Sequence, residues 1–199
     1  PLHLSYSFNS VDTVFWTCSN EPRALIDIWG EPNRDFGIGL LLVDTANFTQ
    51  VPFGYFYTSM DTTILNHIMI GSDGDTCIIH IETESSNANN GQTRVFLGIQ
   101  NKSSNKVFLS GTHYGNGGDI DMWTNNTNAE FTSLGYPWAL DGDTNITIGE
   151  IGGTGNEIIS VGAYCSKNSW TSLNGGTDGS NQVMNDIASF SSLGPTVDG

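Results

Sequence analysis

Positive charge is what this chain has least of. Lys and Arg number 6 against 21 Asp and Glu, a formal net charge of −15. Binding to nucleic acid or to an anionic membrane surface needs clustered cations opposite the phosphates, so nucleic acid is excluded as a partner. Cysteine is scarce as well. Cys18, Cys77 and Cys165 are odd in number, widely spaced and free of any C-x-x-C. That argues against a disulfide framework or a structural zinc site; the three read as buried thiols, with one bridge plus a free thiol as the alternative. No apolar run reaches the length of a membrane span, no signal peptide is read at the start, and sustained helical spacing of apolar residues is missing. The chain opens without Met and stops in mid-pattern at Gly199, which predicts a segment cut from something larger.

What is present is alternation. "DTVFWTCS", "ALIDIW", "GIGLLLVD", "TCIIHIET", "TRVFLGIQ", "KVFLSGT", "GDIDMW" and "TNITIG" read as short strands, separated by turn clusters such as "GEPNRD", "SSNANNGQ" and "YGNGGD". Cys77, Ile79 and Ile81 fall on one face of their strand, and Ile78, His80 and Glu82 on the other. Val95, Leu97 and Ile99 alternate in the same way with Arg94, Phe96 and Gly98. "TTILNHIMI" is rich in β-branched residues and reads as a strand too. Such a series predicts a mainly β fold over residues 1–149, an antiparallel β-sandwich of jelly-roll type. Acidity, frequent Asn, Ser, Thr and Gly, and 11% aromatic content suit a secreted or cell-surface protein. After residue 149 the pattern changes. "NEIISVGAY" is continuously apolar, as in a strand covered on both faces, and predicts that residues 150–199 belong to an incomplete α/β core.

Two blocks in that second segment carry a resemblance. "ISVGAY", with Ser160, Val161, Gly162 and Ala163, and "IASFSSLGPTVDG", with Phe190, Ser191, Ser192, Gly194 and Pro195, together resemble the subtilisin-like serine proteases. In that family an "I-[ST]-V-G-A" strand leads through a loop to an "[IL]-A-x-F-S-S-x-G-P-T" segment, upstream of the turn that bears the nucleophilic serine. The match covers residues 158–199. "VFLSGTHYGNGGDIDMW" is similar to the jelly-roll domain that some subtilases, including a clostridial branch acting in spore germination, insert before the first of these blocks. The loop over residues 165–186 is long for the family.

The resemblance implies no catalytic residue in this chain. "SGTHYG" is similar to the family's "H-G-T-H", but Ser110 stands where the catalytic His would be and His113 matches the other His. "YTSMDT" has Tyr57 for the Gly of the nucleophile turn and Asp61 for the following Ala, and Ser59 precedes His113 in the wrong order. Asn156 in "TGNEI" lies too near the next strand to be the oxyanion residue. All three are explained as ordinary strand and turn sequence, and no G-x-S-x-G elbow is present.

The remaining chemistry is sparse. His3, His67, His80 and His113 show no ligand spacing, and Asp73/Asp75, Asp119/Asp121 and Asp141/Asp143 read first as turn residues, with a calcium site as the alternative. No cofactor is implied. Of the tryptophans, Trp16 and Trp123 fit a core, while Trp138 and Trp170 are the candidate exposed platforms of a glycan-binding or adhesion module. Asn47, Asn101, Asn125 and Asn145 head N-glycosylation patterns. The expected function is a non-catalytic inserted domain of a secreted subtilisin-like serine endopeptidase, shaping substrate access or packing between domains. Its expected partners are the rest of the protease core, the polypeptide substrate of that protease and, through residues 165–199, a second copy of the chain.

Overall fold

The computed structural model describes residues 2–8, 11–18, 23–44, 47–71, 74, 76–102, 106–114, 118–125, 129–144 and 162–191. Its contacts divide the chain into two units, Pro1–Asp143 and Thr144–Gly199.

The first unit is built from eleven described strands: β1 (His3–Phe8), β2 (Val11–Cys18), β3 (Ala24–Pro32), β4 (Phe36–Asp44), β5 (Gln50–Tyr57), β6 (Thr63–Ile70), β7 (Thr76–Glu84), β8 (Gln92–Asn101), β9 (Lys106–Tyr114), β10 (Gly118–Thr124) and β11 (Ala129–Thr132). They form a six-stranded sheet in the order β1-β10-β3-β8-β7-β6 and a five-stranded sheet in the order β11-β2-β9-β4-β5. The neighbouring strands within them pair antiparallel. The expected run "TNITIG" lies almost entirely outside the described residues.

Period-two burial follows the sequence pattern. In β7, Cys77, Ile79 and Ile81 are buried while Ile78, His80 and Glu82 are half-buried, and β3 and β8 alternate likewise. Ile26, Ile28, Ile79, Leu97 and Met122 of the six-stranded sheet share one hydrophobic cluster with Val14, Trp16, Ile38, Leu40 and Phe131 of the five-stranded sheet. Burying such side chains stabilises by about 1.5–3 kcal/mol each, so this shared core supplies most of the fold's stability. Strand β4 is covered on both faces. Outward, Phe15 and Val43 are buried with Leu41, Phe48, Tyr136 and Ala139. Beside them the rings of Tyr55 and Tyr57 lie over Gly39 and Gly37, where an added Cβ would come within 2.8 and 2.7 Å of a ring carbon.

Both open sides between the sheets are managed. On one side residues 140–143 act as a strap. Leu140 N–H donates to Thr13 O at 2.8 Å, Gly142 N–H to Phe131 O at 3.3 Å and Asp143 N–H to His3 O at 2.6 Å. The strap thus runs from β2 and β11 in one sheet to β1 in the other. On the other side the register slips in both edge strands. Leu40 faces Gly54 while Leu41 faces Pro52, which leaves Phe53 of β5 as an extra residue. Between Ile64 and His67 β6 also carries an extra residue, next to Asn66 at φ 51°. The Phe53 and His67 rings meet there at 4.8 Å.

The described residues of the second unit, 162–191, form a hairpin of β12 (Ser169–Thr171) and β13 (Thr177–Gly179), an antiparallel bridge between Tyr164 and Ile187, turns and no α-helix.

Candidate functional site

Of the residues that carry the family resemblance, Ser160, Val161, Ser192, Gly194 and Pro195 lie outside the described residues. Of the other four, the structure brings Gly162, Ala163 and Ser191 together. Ala163 N–H donates to Ser191 Oγ at 3.0 Å, and Ala188 N–H donates to Ala163 O at 2.9 Å. Cys165 N–H reaches Asp186 O at 2.9 Å and Asn185 N–H returns to Cys165 O at 2.8 Å. A Cβ on Gly162 would sit 3.4 Å from Ser191 Oγ. Two runs some twenty residues apart are therefore laced edge to edge, with the Ser191 hydroxyl accepting from the backbone of Ala163. Phe190 is 75% exposed.

A second constellation joins residues that the sequence reading kept apart. His3 is buried, with Nδ1 2.7 Å from Asp143 Oδ1 and Nε2 3.5 Å from Asp121 Oδ1. Its ring lies 5.2 Å from that of Trp123, which faces it across the β1–β10 pair. Burial pulls the imidazole pKa down, but the carboxylates of Asp121 and Asp143 beside the ring outweigh it, and the pKa stands above the ordinary 6.5. A His between two carboxylates suggests a proton-transfer pair. Here the ring is sealed from solvent, and it ties β1 to Asp143 of the strap and to Asp121 of β10. Spacing offered no signal for it, because His3 and Asp143 are 140 residues apart.

The other polar candidates have structural partners. Asp119 accepts from Ser7 Oγ at 2.5 Å, and Asp141 accepts from Ser133 N–H at 2.6 Å. Those bonds from Ser133 hold the Asp141 pKa below the ordinary carboxylate value. Asp73 and Asp75 lie outside the described residues. Among the described residues no three His, Cys, Asp or Glu side chains converge as metal ligands would. His80 Nε2 lies 2.8 Å from Glu82 Oε1 on the same face of β7. Ser110 is buried, Ser59 is exposed, and Asn156 and the His113 side chain lie outside the description.

All three cysteines are free and buried. Burial, with Cys77 beside it, pushes the Cys18 thiol up to about 12, which makes it a poor nucleophile. Of the glycosylation patterns, Asn101 is 1% exposed with its amide donating to Cys18 O, so this one is closed to modification. Asn47 is exposed, but its carbonyl accepts from Thr49 N–H in a local turn. Trp16 is buried in the core, whereas Trp138 and Trp170 are 56% and 42% exposed. Trp138 stacks at 5.3 Å on Tyr136, outside the five-stranded sheet.

No family model and no curated protein matches this chain. Among solved structures, it is similar to the structure of the Clostridium perfringens CspB protease, at 14% sequence identity and a TM-score of 0.55. That likeness covers 96% of this chain and 34% of the other, so the chain spans about a third of the length of the protein it matches. At this identity the likeness is one of fold.

Proposed function

We propose that residues 1–149 are a jelly-roll β-sandwich inserted in a secreted subtilisin-like serine endopeptidase, and that residues 150–199 are part of that enzyme's α/β core. The observation that carries this reading is the fold likeness to a protease along 96% of the chain. It is supported by the lacing of 162–165 to 185–191, the two places where the family phrases stand. In this reading the insert does no chemistry. It shapes substrate access or braces the enzyme's domains, and its partners are the remaining protease core and, through that core, a polypeptide substrate. The exposed side chains of Tyr164, Ile187 and Phe190 supply the apolar surface on which the rest of the core, or a second copy of this chain, packs.

A second reading rests on Trp138, which presents an exposed indole beside Tyr136 as a glycan-binding module does. One pair of assays separates the two. The natural polypeptide containing this segment should label with a serine-directed fluorophosphonate and cleave a protein substrate, while this chain alone does neither. Absence of labelling in the natural polypeptide, together with glycan-array binding lost in Trp138→Ala, would replace the protease reading with the second.

A further inference from the structure

We propose that His3 is a pH-dependent latch that holds the 140–143 strap across the edge between β1 and β11. The strap crosses from one sheet to the other, and at its β1 end Asp143 meets His3 through both backbone and side chain. Asp143 N–H donates to His3 O, His3 N–H donates to Asp143 O at 3.4 Å, and the two side chains meet at 2.7 Å. The charged groups facing the ring among the described residues are Asp143 from the strap and Asp121 from β10, and Trp123 covers its side.

The imidazolium form donates from both nitrogens and so serves both carboxylates. The neutral ring has one N–H. If it stays on Nδ1, the lone pair of Nε2 faces Asp121; if it moves to Nε2, Asp143 loses its donor. Either tautomer sets a carboxylate against a lone pair of a ring that is itself buried, while Asp121 and Asp143 stay 20% and 33% exposed, so the mismatch weakens the contact to the ring. The sign follows from the linkage. The folded-state pKa of His3 is raised above the unfolded 6.5, so the latch is fully made below about pH 6.5 and weakens as pH rises through the raised value. Asp143 is also the last residue of the first unit.

Amide hydrogen exchange on the full chain, normalised to intrinsic rates, tests this between about pH 5.5 and 9. The protection of Asp143 should fall at least about tenfold across the titration of His3, read in parallel from its imidazole nitrogen resonances, while the centre of β8 stays protected. In His3→Asn, which offers Asp143 a neutral donor, the protection should be flat with pH. Protection of Asp143 that is flat in the unmodified chain, or that keeps the same slope in His3→Asn, would overturn the proposal. Should His3→Asn fail to fold, Asp121→Asn decides. It should lower both the imidazole midpoint and the midpoint of strap loosening together, and loosening that does not track the imidazole refutes the latch.

Discussion

The two units of this chain are ordered by different means. In Pro1–Asp143, aliphatic and aromatic side chains from both sheets converge on one cluster, so that Ile26, Ile28, Ile79 and Leu97 are sealed from solvent. In the described part of the second unit, the buried apolar side chains are Cys165 and Ala188, while Tyr164, Val183, Met184, Ile187 and Phe190 are all more than half exposed. What orders those residues is backbone hydrogen bonding, the lacing of 162–165 to 185–191 and the β12–β13 pair. Hydrogen bonds exchanged with water are worth about 0.5–1.5 kcal/mol net each, less than a buried large side chain. Cooperative stability should therefore reside in the first unit, and the second should open locally at lower cost.

Truncation in the core is the most severe test of that contrast. Ile79→Ala should lose about 2–5 kcal/mol in urea unfolding, from lost burial plus the cavity left behind. Phe190→Ala, at an exposed site, should stay within about 0.5 kcal/mol of the parent chain. Equal losses would erase the distinction. Next comes thiol labelling in native buffer, read by mass spectrometry. Cys165 should react on the order of a hundredfold faster than Cys18 or Cys77, since local opening exposes it and the Cys18 thiolate is suppressed by burial. Matching rates for all three would mean that the units open together.

The smallest effect belongs to Asp141, at the strap, where a surface carboxylate does work that the core does not. Its lowered pKa makes its contribution complete above the unfolded value of about 3.9 and lost as pH falls through the folded value. Asp141→Asn should flatten the acid end of the curve of Tm against pH, and an unchanged acid limb would show that the Ser133 bonds matter little.

How much of this could be read in advance varied with the physics of each element. Strands β3, β7 and β8 were legible because one face is buried and the other is not, so hydropathy alternates. β1, "HLSYSF", and β5, "QVPFGYFY", escaped the reading. Both are edge strands, where Pro and Gly are tolerated and aromatic side chains half-cover the sheet instead of entering the core. The cysteines could be read as buried thiols from their number and spacing alone. Trp138 and Trp170 could be singled out by their polar, Gly-rich surroundings. The His3 cluster could not, because only the pairing of β1 with β10 and the return of the strap bring its three residues together. Nor could composition foretell that Ser191 would bind Ala163; that needed the two phrases to be seen side by side.

The slipped registers of β5 and β6 bear on the fate of this molecule at high concentration. These strands end their sheets, carry no Lys, Arg, Asp or Glu, and expose Tyr55, Leu65, Ile68 and Ile70. A straight edge of that composition would be a template on which further chains could add, strand upon strand, toward a fibre. An extra residue in each breaks the regular spacing of donors and acceptors that an incoming strand must match, and the Phe53–His67 contact ties the two breaks together. At this border irregular geometry thus stands in for the charged side chains that blunt many other edge strands.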